Sequence, residues 1–498
     1  MKKFSKKQIG FIVGIVGFIT ISFLFNLDKD NPLVSYTMGI TFLMATWWIL
    51  EVIPLAITAL IPIILFPIFG IANGKEISSA YFNDIIFLFI GGFMIALAMQ
   101  KWNLHTRIAL NILQKTGVSP TRIVAGFMIA SAFLSMWISN TATTMMMLPI
   151  AISILNELEN NFAKKDLQKY SIALLLAIAY SSSIGGIATL VGTAPNMVLV
   201  KIFSITFPNS PDISFGQWMI FAFPLSLSLL IILLIFLYLY YFRKVKLNDV
   251  NKTNIIIKKQ YKNLGKTSYE EKIVMIIFIL FAGLLLFRKD IIIGNFTIYG
   301  WSNIFNYPKF INDGTIAIFT GVLMFTIPSK NKKNDFILDW ETTKKIPWDI
   351  ILLFGGGFAL ATGFISSGLS LWIGNELSNI IGNNYLINII IVTSVMIFLT
   401  EVTSNTATTQ ILLPVIAAMA VSVGNNPLLL MIPATIAASM AFMLPVATPP
   451  NAIVFSSGKI KISEMAKTGL VMNIIAIIVV SLFVWLVGID TFATKINP

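Results

Sequence analysis

The sequence runs to 498 residues, of which 56% are hydrophobic and only 11% charged. A soluble globular chain carries about 25% charged residues, so this one lacks the polar surface to cover itself in water and must face lipid. Its formal net charge of +13 sits in short segments between apolar runs, which excludes a nucleic-acid surface. The lack of cysteine removes disulfides, thiol nucleophiles and cysteine-bound metals, and a single histidine, His105, leaves little for histidine catalysis.

Crossing a hydrocarbon core of roughly 30 Å takes about 20 apolar residues. The first such run, 9–27, follows Met1-Lys2-Lys3-Phe4-Ser5-Lys6-Lys7, which resembles the basic start of a signal peptide. No small-residue cleavage site follows and further runs come directly after, so 8–27 reads as a retained first span with its N-terminus inside. Spans are predicted next at 34–53, 55–70 and 84–104. Trp47-Trp48 reads as a packing or lipid-facing pair, and Glu51 as a structural or interfacial acid.

Segment 122–156 is apolar but interrupted at mid-length by a polar cluster, the pattern of a re-entrant hairpin, because non-helical backbone at membrane depth survives only where protein or a cavity covers it. Spans at 170–200 and 217–242 follow, then a basic stretch, 243–272, which reads as a solvated cytoplasmic loop dividing the chain into halves. The second half predicts spans at 273–287, 312–328 and 349–370, a second interrupted hairpin at 385–420, and spans at 426–457 and 466–489. The fold class is therefore an all-α polytopic membrane protein of about eleven transmembrane helices plus two re-entrant hairpins. Charge gives an independent check: with the N-terminus inside, the cytoplasmic segments hold 28 of the 35 Lys and Arg residues. That bias fits the positive-inside rule. It places the chain as a multi-pass protein of the cell membrane, C-terminus outside, with the first hairpin opening inward and the second outward.

The string Ser139-Asn140-Thr141-Ala142-Thr143-Thr144 recurs letter for letter as Ser404-Asn405-Thr406-Ala407-Thr408-Thr409, 265 residues later. The same offset carries Leu148-Pro149 onto Leu413-Pro414 and Gly91-Gly92-Phe93 onto Gly356-Gly357-Phe358. A second pair, Gly192-Thr193-Ala194-Pro195-Asn196 and Ala447-Thr448-Pro449-Pro450-Asn451, lies in the span after each hairpin, where proline and glycine should break the helix in two. Five crossings separate the matched elements, so the halves have opposite orientation. Inverted repeats with paired discontinuous helices are a recurring plan of secondary transporters, whose substrate sits at the repeat interface.

No Lys or Arg lies in either Ser-Asn-Thr cluster or beside either break. An anion there must be held by hairpin tips and half-helix N-termini, each worth about half a positive charge, and by the neutral donors of Ser, Thr and Asn. Exposed carbonyls and helix C-terminal ends suit a small hard cation, whose charge would couple it to the anion. A passive channel would need a continuous pore rather than an occludable site. A membrane-embedded transferase would need an acid-base or metal constellation that His105 and scattered carboxylates do not supply.

At these residues the sequence resembles the divalent anion sodium symporter family, the INDY-like dicarboxylate and citrate carriers, over nearly its whole length. The resemblance implies a homodimer in the lipid bilayer, elevator-like movement of a transport domain, and no cofactor beyond sodium ions. It divides the chain into scaffold parts 1–120 and 273–384, transport-domain halves 121–245 and 385–498, and the linker 246–272. It also implies that a succinate-, malate-, fumarate- or 2-oxoglutarate-like substrate is bound by Ser139, Asn140, Thr141 and Thr193 from one half and by Ser404, Asn405, Thr406, Thr448 and Pro449 from the other. One sodium falls to Ser135, Ser139, Asn140 and the Gly192 carbonyl, another to Thr400, Ser404, Asn405 and the Ala447 carbonyl. The first break departs from the family's usual two prolines by reading Thr-Ala-Pro. Some relatives exchange dicarboxylates without sodium, and arsenite or sodium/proton carriers share a related design. Glu401 lies beside the second cluster, opposite Met136 in the first, and is a candidate for a proton-linked or gating role.

Overall fold

A computed structural model describes residues 5–117, 119–158, 164–243, 250–293, 296–331, 335–377, 384–488 and 491. Lys2, Lys3 and the segment 492–498 lie outside the described residues, so the locations expected for the two termini are not addressed by it. Helix dominates, as lipid requires of a chain whose backbone must satisfy its own polar groups. The exceptions among the described residues are an antiparallel strand pair, Ile291–Ile293 on Phe296–Ile298, and an isolated bridge between Pro328 and Phe336. Among the described residues, seven helices are long and apolar enough to cross a membrane, and six shorter apolar stretches of helix accompany them.

Helix starts follow local chemistry. The Ser5 side chain and Gln8 form a capping box at Lys6–Ile19, and Asn31 caps Pro32–Ile49, whose proline fills the first turn where no N–H is needed. The Asn83 side chain accepts from the Ile85 and Ile86 amides at 3.0 and 3.3 Å and fixes the start of Asp84–Lys101.

Both interrupted segments are helix pairs joined by a short turn. Hairpin A consists of Pro120–Ser135 and Asn140–Leu158, and hairpin B of Tyr385–Thr400 and Asn405–Ser422. Each of the two later spans is a broken helix. Broken helix A runs as Lys164–Gly186 and Ala194–Thr206, and broken helix B as Leu428–Ala438 and Pro449–Phe455. These two hold the centre of the protein: residues 170–190 are buried without interruption, as are 428–442. A helix apolar on every face belongs in such a place. The first helix, by contrast, leaves Ile9, Phe11, Val16 and Ile19 about half exposed, the lipid-facing pattern.

Four segments differ from the sequence expectation. The run 55–70 is not one span but two short helices, Leu55–Thr58 and Ile61–Ile68, interrupted at Ala59 and Leu60 just before Pro62. The run 349–370 ends as a helix at Ser366 because Gly368 turns the chain at φ 77°, and a separate helix, Leu369–Leu377, follows. The basic stretch between the predicted span 84–104 and the hairpin at 122–156 forms an amphipathic helix, Leu104–Thr116, whose Arg107 is buried in a two-pronged ion pair with Glu271 at 2.8 and 3.1 Å and donates to the Leu264 and Gly265 carbonyls. Part of the basic linker is likewise helical, over Val250–Asn263.

The repeated Gly-Gly-Phe strings serve packing. A side chain at Gly91 would strike the Ala317 backbone, and one at Gly356 would sit 2.6 Å from the Ala59 carbonyl, so these glycines let neighbouring helices touch. At one end of Asp84–Lys101, Lys101 meets Asp339 at 2.6 Å and the Trp102 indole donates to the Ile337 carbonyl at 2.7 Å. Burial alone would raise the Asp339 carboxyl, but hydrogen bonds from Lys101 and Thr342 outweigh it and hold the group at about 2.

Candidate functional site

Tip A is the turn from Met136 to Ser139. The Ser139 hydroxyl accepts from the Ala142 amide at 3.2 Å, capping the helix that begins at Asn140. Trp137 turns away from the tip and stacks on Phe215 with centroids 5.9 Å apart. The tip is tied to the break in helix A through Thr189, whose hydroxyl donates to the Met136 carbonyl at 2.5 Å and accepts from the Gly192 amide at 3.1 Å. The Asn196 amide closes the break from the other side by donating to the Thr189 and Ile187 carbonyls at 2.7 and 3.2 Å.

The Asn140 side chain lies where tip and break meet. One polar atom of its amide faces the Ser135 hydroxyl, the Ser182 carbonyl at 3.2 Å and the Gly192 carbonyl at 3.3 Å. If the nitrogen stands there, it donates to those oxygens; if the oxygen stands there, four oxygens converge, a donor set suited to a small hard cation. A side chain at Gly192 would sit 2.9 Å from the Ser135 carbonyl, so the approach of tip to break requires a residue without one.

Tip B, the turn from Glu401 to Ser404, and the break in helix B repeat the plan with different ties. Thr448 caps the second half-helix by accepting from the Asn451 amide at 3.3 Å, and the Asn451 side chain donates to the Ala441 and Leu444 carbonyls at 3.1 and 3.0 Å. Glu401, 4% exposed, takes the place of the Thr189 tie. Its carboxylate accepts from the backbone amides of Phe442, Met443 and Leu444 at 2.8, 2.9 and 3.0 Å and from the Asn473 side chain at 2.7 Å. The two broken helices meet directly: the Tyr180 hydroxyl donates to the Phe442 carbonyl at 2.7 Å, and the Thr193 and Ser439 hydroxyls are 3.2 Å apart.

Both tips and both breaks open onto one cavity of about 770 Å³. Ser139, Asn140, Thr141 and Thr193 line it from one half, and Ser404, Asn405, Thr406, Thr448 and Pro449 from the other, with Gly192 and Ala447. Three helix N-termini, at Asn140, Ala194 and Asn405, therefore bring unpaired N–H groups toward the same space, whereas the fourth begins with Pro449 and Pro450, which have none, and its Asn451 amide is taken by Thr448. Of the remaining residues assigned to cations, Ser135 is buried behind tip A and bonded to Asn140, whereas the Thr400 hydroxyl donates to the Ile397 carbonyl of its own helix at 3.0 Å. The Asn405 side-chain oxygen is buried with no hydrogen-bond partner in the protein. Among the lining residues the one Lys or Arg is Lys6, at the start of the first helix, and Glu51 lines the same cavity just after the second. His105 lines a separate hollow and is bonded to the Met99 carbonyl at 2.9 Å.

The family described as the sodium:sulfate symporter transmembrane region matches residues 5–489. This chain belongs to that family, the divalent anion:sodium symporters. Among the relatives of this chain, one named sodium-dependent dicarboxylate transporter SdcS in Staphylococcus saprophyticus is 44% identical over 496 residues, covering 97% of this chain and 92% of the relative. Its namesake in Staphylococcus aureus is 44% identical over 501 residues, covering 98% and 94%. Two solved transporters share the fold at low identity. MtrF of Neisseria gonorrhoeae, from a class of antimetabolite efflux pumps, aligns with TM-score 0.58 at 13% identity over 86% of this chain and 85% of its own. YdaH of Alcanivorax borkumensis aligns with TM-score 0.53 at 12% identity over 84% and 87%.

Sequence reasoning singled out the residues that face the cavity but not the groups that hold them there. Asn196 and Asn451 stood in the repeated strings and carried a signal as the fifth residue of each. Thr189 and Asn473 carried none, since each is one polar residue in an apolar run, and Ser182 stands in the triplet Ser181-Ser182-Ser183, outside the repeated strings.

Proposed function

We propose that this chain is a secondary active transporter that carries small dicarboxylates, of the succinate, malate, fumarate or 2-oxoglutarate class, together with sodium. The observation that carries the reading is the meeting of the two duplicated Ser-Asn-Thr tips around a single cavity without a cation beside them. Two polar tips suit the two carboxylates of one substrate. Because helix ends and hydroxyls neutralise a dianion only partly, cations bound at Asn140 and Asn405 supply the rest, in keeping with the sodium-dependent dicarboxylate relatives. Ser135, Ser139 and the Gly192 carbonyl complete one cation site, to which the Ser182 carbonyl is added; Thr400, Ser404 and the Ala447 carbonyl complete the other.

The deciding experiment is uptake of labelled succinate into proteoliposomes that contain no internal dicarboxylate. Accumulation driven by an inward sodium gradient is expected; flux indifferent to sodium that appears only with internal dicarboxylate would make the protein an exchanger.

The finer architecture belongs to the same proposal: eleven spans, hairpins A and B re-entrant, scaffold parts 1–120 and 273–384, and transport halves 121–245 and 385–498 that slide against a dimeric scaffold. By length alone Asn140–Leu158 and Asn405–Ser422 could cross a bilayer. The re-entrant reading rests on their N-termini ending at the central cavity. With the basic segments cytoplasmic, the Lys6 and Glu51 end of the cavity faces the cytoplasm. Lys259 and Lys309 are both exposed, so a cysteine at the first should react only with reagents reaching the cytoplasm, and one at the second only from outside. Reversed labelling would invert the topology.

A further inference from the structure

Among the described residues, the ion pairs found to join the portions proposed to move and to stay lie on one face. Among the described residues, two ion pairs cross between them: Lys201 of broken helix A with Asp84 at the start of Asp84–Lys101, at 2.8 Å, and Lys289 with Asp212, at 3.3 Å. The other described ion pairs have both partners within the scaffold and linker portions. The crossing pairs flank a cleft of about 530 Å³ that both portions line. This cleft lies at the outer end of Asp84–Lys101, whereas the 770 Å³ cavity reaches Lys6 and Glu51, which stand at the start of the first span and the end of the second, on the inner face.

An ion pair across a sliding boundary exists in one position and is pulled apart in the other, so it favours the position in which it forms. We propose that Lys201–Asp84, assisted by Lys289–Asp212, is an extracellular latch that holds the carrier inward-open and limits how often it turns outward. This rests on the alternating-access reading above. The first pair carries more of the effect: its side chains are 19% and 41% exposed, against 38% and 68% for the second. Solvated pairs are weak and change an equilibrium by at most about fivefold. The scaffold side of the cleft is firm, because Arg288 binds Asp313 at 2.5 Å and donates to the Ile311 carbonyl at 2.9 Å, and Asn83 caps the helix that Asp84 begins.

The chain contains no cysteine, so one reporter can be placed without background. Val446 lines the central cavity and is 82% exposed. In vesicles of one orientation, a Val446→Cys protein is labelled with a membrane-impermeant thiol reagent from the outer face, with sodium fixed and substrate absent. Asp84→Asn and Lys201→Gln should each raise the outer labelling rate about two- to fivefold, and the exchanged pair, Asp84→Lys with Lys201→Asp, should return it toward the parental rate. A purely structural contact would lower the yield of folded protein without raising outer labelling. One arm needs no substitution at the latch: choline chloride added at fixed sodium screens the pair and should raise outer labelling of the reporter protein. Unchanged labelling in both neutralised variants and under choline chloride, or an exchanged pair no nearer the parental rate than the single variants, overturns the latch. If the reporter labels from one face only under every sodium and succinate condition, alternating access fails and the latch with it. If it labels from both faces but is indifferent to the variants and to salt, the latch alone falls.

Discussion

Replacing either tip asparagine, Asn140→Ala or Asn405→Ala, is expected to reduce sodium-driven succinate uptake to below about one-hundredth of the parental rate. Each side chain is proposed to serve a carboxylate and a cation at once. Losing both roles removes about 3 kcal/mol, since hydrogen bonds to charged groups contribute about 1.5–3 kcal/mol each. The protein itself should survive. The Asn405 oxygen has no partner in the protein, so its removal leaves no broken bond behind at that atom. The Asn140 amide faces the Ser182 and Gly192 carbonyls beside the central cavity, where water can take its place. The check is paired: the uptake rate, and the elution profile and thermal stability of the purified variant. Near-normal uptake by either variant would remove that asparagine from the site, and uptake lost together with the folded protein would mean that its role is structural.

How much of this was legible in the sequence divides along physical lines. Apolar runs, the letter-for-letter repeat and the proline-bearing breaks are local signals, and the helices, turns and breaks fall close to where they imply. The repeat also drew attention to residues now found on one cavity wall, because two copies of a polar string in a membrane protein have little reason to persist in the same register unless they meet. Segment 55–70 was misread because continuous hydrophobicity does not reveal a break when the residues around it are apolar too. The helix Leu104–Thr116 has no counterpart among the predicted spans because charged and polar residues interrupt its apolar face, and nothing local shows that Arg107 is committed to Glu271, 164 residues away. Long-range ties of that kind leave no spacing to read. Thr400 and Ser135 occupy matched positions, yet only Ser135 is bonded to its tip asparagine; the repeat conveys equivalence of place, not the rotamer each side chain adopts.

Glu401 is the sharpest case of that limit, and its substitution should separate two accounts of an intramembrane acid. As a lone carboxylate beside tip B, with Met136 at the matching place, it was a candidate for proton coupling. In the structure it ties break B, accepting three consecutive backbone amides and the Asn473 side chain. The first half does this work with the Thr189 hydroxyl and the Met136 carbonyl, which need no acid. The asymmetry in sequence is then two chemical solutions to one task, holding open backbone at the cavity wall. Glu401→Ala would leave those donors without their acceptor. At about 1–3 kcal/mol for each buried unpaired group, less where the cavity admits water, the loss should reach about 3 kcal/mol or more and take uptake with it. Glu401→Gln is the discriminating variant. Backbone amides approach both carboxylate oxygens, so a side-chain NH₂ must oppose at least one of them. Thermal stability in detergent and uptake should fall together, to a point between the parental and Ala proteins. A Gln variant as stable as the parent, whose uptake no longer varies with pH where the parent's does, would instead make Glu401 a proton-carrying group and return the structural tie to a secondary role.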